Sequence, residues 1–194
     1  MKLTNKDAEI STYFTPECNI NKGDVVVDIG GFIGEFSVYA SSKGARQIIT
    51  YEPCSEPFAE IERLDIPNCI KIKKAVGLTD GETTIYYQSW DPMSSSIYDK
   101  SGRPEIVQQV GFQNILNKVG NIDFLKVDCE GPERDFLPRA DLSKVKKMAV
   151  EWHSSVPLYF GDLFQFFVHI SPTFRFTITR YIAPHIIVFV AWRN

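Results

Sequence analysis

Short apolar runs alternate with helix-like segments along most of the chain. Runs rich in β-branched residues predict strands at 24–29, 47–52, 69–76, 122–128 and 145–152. Between them, the spacing of apolar positions predicts helices at about 33–43, 56–64 and 110–118. Strands that alternate with helices in this way are typical of a parallel sheet with helices on both faces.

The middle of the chain interrupts this alternation. Residues 79–82 carry a hairpin signal, and a strand is predicted to follow near 83–88. Proline, serine and glycine residues then predict a long loop over 89–104. Because loops of this length inside compact domains are often functional, we interpret 89–104 as a lid over an acceptor substrate.

The C-terminal part predicts a helix at about 158–169 and then two strands, 173–181 and 185–192. Ala183 and Pro184 would join these strands as a terminal hairpin, which makes the last strand antiparallel. The expected fold class is therefore α/β. Its sheet would be doubly wound and mostly parallel, with an antiparallel C-terminal strand.

Length and composition are those of one globular domain. The chain has 194 residues, of which 44% are hydrophobic and 23% charged, and its net charge is −3. We expect a single domain over 1–194 with a lead-in segment over 1–22. The small negative charge and the lack of a long basic block argue against a nucleic-acid partner.

The sequence also limits where the protein is expected to work. No apolar run is long enough for a membrane span, and the N-terminus lacks the apolar core of a signal peptide. The four cysteines are scattered without the spacing of a zinc site or a disulfide framework: Cys18, Cys54, Cys69 and Cys129. We therefore expect a cytoplasmic protein with no membrane partner.

The first predicted strand ends in a glycine-rich turn. Asp28 precedes Gly30, Gly31 and Gly34, and a helix is predicted to follow. In α/β proteins a ligand binds at such a turn, at the carboxyl end of the strand. A carboxylate at Asp28 would repel a pyrophosphate but attract an ammonium or a sulfonium. The turn therefore indicates a cationic nucleoside, and S-adenosylmethionine is the obvious candidate.

Glu52 strengthens this interpretation, because it closes the second strand 24 residues after Asp28. An acid at about this distance accepts hydrogen bonds from both ribose hydroxyls in doubly wound folds. Gly30 and Gly31 would let the backbone approach the ligand, and Gly34 would let the helix pack on the strand. The dinucleotide fingerprint fails, since Ile29 stands where its first glycine belongs. A tight turn without a ligand is the alternative.

The remaining cofactor contacts are expected beside these residues. Phe32 lies within the turn and Pro53 follows Glu52. Ala75 and Val76 end the third predicted strand, where small apolar side chains would flank an adenine ring. Ordinary packing at the end of a strand explains each of these residues equally well. An antiparallel last strand is usual in methyltransferase sheets and weakens a plain dinucleotide-binding interpretation.

A second group of polar residues follows the fourth and fifth strands. Asp128 ends one strand, Glu130 and Glu133 follow it, and His153 lies at the end of the next. Methyl transfer to a hydroxyl needs a positioned proton acceptor or a metal that acidifies the hydroxyl. Asp128 and Glu130 are predicted to position the acceptor or to hold a divalent cation, and His153 is the first candidate for the base. The acids at 130 and 133 could instead only stabilise a helix N-terminus, and His153 could be a hydrogen-bonded strand-end histidine.

Together these residues resemble the FkbM family of S-adenosylmethionine-dependent methyltransferases over about residues 13–153. The most specific match is the block at residues 126–133, at the end of the fourth predicted strand, because generic methyltransferases lack it. The matching positions are Tyr13 and Pro16; Gly23, Asp24, Val25, Val26, Val27, Asp28, Ile29 and Gly30; Tyr51, Glu52 and Pro53; Ala75, Val76 and Gly77; Lys126, Val127, Asp128, Cys129, Glu130, Gly131, Pro132 and Glu133; and Glu151, Trp152 and His153.

The resemblance implies a Rossmann-like methyltransferase fold and O-methylation of hydroxyls on sugars, polyketides or related metabolites. It implies that Asp28, Gly30, Gly34 and Glu52 bind the cofactor, and that Asp128 and Glu130 line the reaction site. The chain departs from the family at Phe32, where family members usually carry an asparagine.

The sequence therefore predicts an S-adenosylmethionine-dependent methyltransferase whose acceptor is a small molecule or a glycan. The alternatives are N-methylation on the same fold, a non-catalytic cofactor-binding module, motivated by Phe32, and a nicotinamide-dependent reductase, which Asp28 disfavours. An aromatic run in the helix at 158–169 is interpreted as core, and a homodimer interface is the alternative. Its members are Tyr159, Phe160, Phe164, Phe166 and Phe167.

Overall fold

The computed structural model describes residues 10–87, 102–154 and 161–194. Its main feature is a seven-stranded sheet in the order β3-β2-β1-β7-β8-β10-β9. Five of these strands are parallel, and β10 runs antiparallel to both β8 and β9. The strands are β1 Val25–Ile29, β2 Gln47–Tyr51, β3 Cys69–Ile72, β7 Ile122–Val127, β8 Val145–His153, β9 Phe174–Ala183 and β10 Ile186–Arg193. The expected fold class is confirmed.

Helices cover both faces of this sheet, because the central strands are apolar on both sides. Every residue of β1 is buried. Val26 packs in one apolar cluster with Phe36 of the first helix, whereas Val27 packs in another with residues of the later helices. Strands buried on both faces are typical of parallel sheets. The helices are α1 Glu35–Ser42, α2 Ser55–Arg63, α3 Phe112–Val119, α4 Glu133–Phe136 and α5 Gly161–Ile170.

The prediction for the third strand was wrong in one respect. The apolar run 69–76 is two strands in different sheets, β3 and β4 (Ala75–Gly77). In the second, three-stranded sheet, β4 is parallel to β6 (Arg103–Gly111), which in turn is antiparallel to β5 (Gly81–Tyr87). The hairpin expected at 79–82 is therefore absent, since β5 pairs with a later strand.

The sequence pattern did not reveal β6. Most of its residues are exposed or half-buried, and charged and amide side chains interrupt its apolar positions, so no apolar run marks it. Arg103 and Pro104 belong to this strand, although they were expected in the loop over 89–104. Residues 89–101 of the predicted lid lie outside the described residues, as do residues 1–9 of the predicted lead-in segment.

The C-terminal segment folds as expected. Strands β9 and β10 form an antiparallel hairpin, and α5 buries Phe166 and Phe167 against the sheet. Phe164 faces outward and is 68% exposed, and Tyr159 and Phe160 lie outside the described residues. Within the described ranges, no helix is long and apolar enough to span a membrane.

Candidate active site

A cavity of about 570 Å³ opens at the carboxyl ends of β1, β2, β7 and β8, with β4 and β5 forming part of its wall. Most of the residues predicted for the site line it: Gly30, Gly31, Phe32, Glu52, Pro53, Ala75, Val76, Asp128, Glu130 and His153. The structure thus brings together two groups of residues that are far apart in the sequence. Asp28 and Gly34 are not among the lining residues.

The glycine turn forms the floor of the cavity. Gly30 has a φ of 79°, and a Cβ atom there would lie 1.6 Å from the Asp128 carbonyl oxygen. A Cβ atom on Gly31 would lie 2.2 Å from the Thr50 hydroxyl oxygen. No side chain fits at either position, so the close packing of β1, β2 and β7 requires both glycines.

Glu52 is buried beside the turn and stabilises its shape. Its Oε2 accepts a hydrogen bond of 2.9 Å from the Phe32 amide, and its Oε1 accepts one of 2.8 Å from the Cys54 amide. Burial raises the pKa of Glu52 to about 7, although these two bonds oppose the shift. Each carboxylate oxygen has a second lone pair that can accept a hydrogen bond from a ligand hydroxyl.

Asp28 lies beneath the turn instead of in the cavity wall. Its side chain is fully buried, and its Oδ2 accepts hydrogen bonds from Ser37 (2.8 Å) and Thr50 (3.3 Å). Because side chains alternate along a strand, Asp28 points toward α1, away from the ligand space. The predicted contact of Asp28 with the cofactor ammonium, directly or through water, therefore stays a prediction, and the buried position of Asp28 does not favour a direct contact.

Gly34 allows close packing, as expected, but against a different helix, and the cofactor contact that the resemblance implies for it stays a prediction. It has a φ of 90°, and a Cβ atom there would lie 2.8 Å from Leu64 Cδ1. Gly34 therefore allows close packing against the end of α2 and forms the start of α1. It does not contact the cavity.

Lys126 is a buried cation that the site prediction missed. Its Nζ donates to the Gly30 carbonyl oxygen at 2.6 Å and lies 3.5 Å from both Asp28 Oδ1 and Asp128 Oδ2. Burial lowers the pKa of Lys126, but Asp128 and Asp28 outweigh this effect and the net shift is upward. Lys126 therefore connects the glycine turn to the acidic side of the cavity.

Tyr13 and Glu151 complete the acidic side of the cavity. The Tyr13 hydroxyl lies 3.0 Å from Asp128 Oδ2 and 3.2 Å from Glu151 Oε2 and shares its single proton between the two carboxylates. Burial, and then the charge of Asp128, raises the pKa of Glu151 to about 8. Tyr13 comes from a short 3₁₀ turn, Ser11–Tyr13, near the start of the chain.

His153 lies among three glutamates. Its Nδ1 is 3.0 Å from Glu133 Oε1, and its Nε2 is 3.1 Å from Glu130 Oε2 and 3.6 Å from Glu151 Oε1. Burial lowers the pKa of His153, but Glu130 and Glu133 outweigh it and raise the pKa to about 11. The glutamates therefore favour the protonated form of His153, which argues against its acting as the general base. That assignment stays a prediction.

Glu133 is fully buried and orients His153. Its Oε1 also accepts from the His153 amide at 2.8 Å, and its Oε2 accepts from the Gly131 amide at 2.8 Å. Its position at the start of α4 agrees with the expected role at a helix N-terminus, but the contacts to His153 are additional. The sequence did carry a signal for Lys126, Glu133 and Glu151. Each lies two or three residues from a predicted site residue. No local signal linked Tyr13 to Asp128, 115 residues away.

Comparisons with known proteins point to one family. The model of the methyltransferase FkbM domain matches residues 28–176. The crystal structure of the methyltransferase FkbM from Methylobacillus flagellatus superposes with a TM-score of 0.61 at 16% identity, over 94% of this chain and 47% of that one. This chain therefore spans about half the length of that protein. A search of curated protein sequences found no match.

Two further solved structures share the fold. The dimethyladenosine transferase from Plasmodium falciparum gives a TM-score of 0.57 at 11% identity, covering 100% of this chain and 63% of that one. The precorrin-6y C5,15-methyltransferase from Geobacter metallireducens gives a TM-score of 0.53 at 11% identity. The match covers 99% of this chain and 92% of that one. At such identities the likeness shows the Rossmann-like fold alone.

Proposed function

Because the chain belongs to the FkbM family of S-adenosylmethionine-dependent methyltransferases, we propose that it methylates a hydroxyl of a small molecule or a glycan. The observation that carries this proposal is the composition of the cavity. The glycine turn and Glu52 line one part of it, and the acidic group around Asp128 lines another. The cofactor and acceptor sites would thus share one enclosed space.

The described residues fit S-adenosylmethionine. The turn presents bare backbone where a Cβ atom at Gly30 would collide with β7. Glu52 offers two acceptor oxygens to a ribose diol, and Ala75, Val76 and Ile85 give an apolar wall for an adenine ring. When bound, the cofactor supplies a methyl group activated by a positively charged sulfur. The neighbouring carboxylates would stabilise that charge.

Glu130 is the proposed proton acceptor in place of His153. Its carboxylate lines the cavity and is 27% exposed, so an acceptor hydroxyl can reach it. Its backbone has a φ of 61°, an unfavourable conformation for a glutamate that often marks functional sites. The hydroxyl proton would pass to a Glu130 oxygen, while Asp128 orients the hydroxyl. Alignment of the hydroxyl with the methyl group provides the rest of the rate enhancement.

An amine acceptor is the second candidate. Several carboxylates surround two buried cations in this region. Asp28 and Asp128 lie 3.5 Å from Lys126, and Glu130, Glu133 and Glu151 lie 3.0–3.6 Å from His153. Negative charge of this kind attracts a cationic acceptor. An amine must be neutral to react, however, so the same charge would also disfavour its reactive form.

Binding measurements test the cofactor assignment, and methyl-transfer assays test the acceptor. Calorimetry should show binding of S-adenosylhomocysteine and no binding of NAD. With methyl-labelled S-adenosylmethionine and a panel of monosaccharides, polyols and primary amines, mass spectrometry should find label on an oxygen. Glu130→Gln should lower kcat by about 10²–10⁴-fold while leaving S-adenosylhomocysteine affinity unchanged.

The matched control is Glu60→Gln, which makes the same change in an exposed ion pair on α2 and should leave kcat unchanged. Binding of NAD without binding of S-adenosylhomocysteine would overturn the cofactor assignment. Label on nitrogen would replace the hydroxyl acceptor with the amine. An unchanged kcat in Glu130→Gln would exclude that residue as the proton acceptor.

A further inference from the structure

We propose that Asp128, Glu151 and His153 form a binding site for a divalent cation at the acceptor side of the cavity. One ligand atom from each residue lies within 4.8 Å of the other two. All three residues line the cavity. The inference deepens the proposed function and rests on it for the cation's chemical role.

The orientation of His153 is the first independent observation. The residue is only 7% exposed, and its Nε2 has no hydrogen-bond partner among the described residues. This nitrogen lies 3.1 Å from Glu130 Oε2 and 3.6 Å from Glu151 Oε1, within ion-pair distance of both carboxylates. Nε2 is therefore buried, directed toward carboxylates and available as a ligand.

The other ring nitrogen supports the same interpretation. Nδ1 lies 3.0 Å from Glu133 Oε1, and Glu133 is itself fixed by the amides of Gly131 and His153. Histidines that bind metals almost always donate their second ring N–H to a carboxylate or a carbonyl, which fixes the ring and its tautomer. Glu133 is placed to do this for His153 and would leave the Nε2 lone pair directed at the cation.

The carboxylates are oriented in the same way. The Tyr13 hydroxyl bonds to Asp128 Oδ2 and Glu151 Oε2. Within the described ranges, Asp128 Oδ1 has no hydrogen bond, and Glu151 Oε1 is the oxygen that lies 3.6 Å from His153 Nε2. Tyr13 would thus hold each carboxylate by one oxygen and present the other to the cation.

The charge and the ligand types indicate which cation would bind. The carboxylates that face His153 favour a positive ion, and binding would displace the His153 proton. Two carboxylate oxygens and one imidazole nitrogen suit a first-row transition-metal ion, with Mn²⁺ the one richest in carboxylate ligands, better than Mg²⁺, which prefers oxygen ligands and bound water. A cation here would acidify an acceptor hydroxyl bound to it, and Glu130 would take the proton.

Electron paramagnetic resonance of Mn²⁺ added to the metal-free protein tests the site, with and without S-adenosylhomocysteine. The free Mn²⁺ signal should fall until about one ion is bound per chain, as expected for one site. Glu151→Gln and His153→Ala should each weaken binding at least 10-fold, and Glu133→Gln by about 10–100-fold, since it removes the carboxylate that orients the ligand. Glu60→Gln is the matched control and should bind as the parent does.

Circular dichroism and S-adenosylhomocysteine binding show whether each variant is folded, and only folded variants count. A parent protein that binds S-adenosylhomocysteine but not Mn²⁺ would overturn the cation site and leave the proposed function intact. Mn²⁺ binding that is unchanged in folded Glu151→Gln and Glu133→Gln would also overturn it. Failure to bind S-adenosylhomocysteine would instead contradict the proposed function.

Discussion

Phe32 is an unusual residue for its position in the glycine turn. It has a φ of 47°, in the left-handed region that most side chains avoid. Asparagine tolerates this region, which gives a physical reason for the asparagine usual at this position in the resembling family. The Phe32 amide nevertheless donates to Glu52, so the turn keeps its shape.

We expect Phe32→Asn to raise the free energy of unfolding by about 1 kcal/mol, because it relieves this backbone strain. Urea denaturation measures the change. Phe164→Asn, on the exposed face of α5, replaces the same residue type in helical backbone and should be neutral or slightly destabilising. Equal effects of the two substitutions would show that backbone strain is not the cause.

Glu52 provides a pH-dependent prediction. Burial raises its pKa to about 7, so the carboxylate is protonated below that pH and loses acceptor capacity for a ribose. The affinity for S-adenosylhomocysteine should therefore fall as the pH drops from 8 to 6. Calorimetry across this range measures the effect.

In Glu52→Gln, binding should be weaker at pH 8 and should lose this pH dependence. A parent protein whose affinity stays constant from pH 6 to 8 would contradict the assignment of Glu52 to the ribose.

At the scale of elements, β1 and β7 are joined by a buried charged pair as well as by backbone hydrogen bonds. Lys126 of β7 contacts Asp28 of β1 and the Gly30 carbonyl of the turn. Replacement of Lys126 by methionine would leave Asp28 buried without its cation. We expect Lys126→Met to lower the free energy of unfolding by about 3–5 kcal/mol.

Denaturant titration measures this loss, and Lys146→Met is the control. Lys146 pairs with Asp123 but is 62% exposed, so its loss should cost less than about 1 kcal/mol. Adding Asp28→Asn to Lys126→Met should recover part of the stability. A double variant that is less stable than the single one would show that Lys126 acts through packing, not charge.

The elements also show where sequence patterns are informative. The parallel strands were predictable because their apolar runs are buried on both faces, as in β1. The strand β6 was not, since polar side chains interrupt its apolar positions and only Val107 and Gly111 are buried. The run 69–76 looked continuous, yet Lys73 and Lys74 separate strands that belong to two sheets.

For the molecule as a whole, the two sheets have distinct roles. The seven-stranded sheet carries the glycine turn and the acidic group at its carboxyl edge, and the three-stranded sheet adds an apolar wall beside them. The predicted homodimer stays a prediction. Exposed apolar side chains do occur on α5 and β9, namely Phe164, Val168, Phe176, Ile178 and Tyr181.

The order of most strands and helices, the glycine turn and the acidic block could be predicted from the sequence, because periodicity and turn chemistry are local properties. The buried position of Asp28, the contact of Lys126 with the turn and the contact of Tyr13 with Asp128 could not. Nor could the three glutamates that surround His153 and raise its pKa. Burial and charge depend on residues that the fold brings together from distant parts of the chain, so a local sequence pattern cannot predict them.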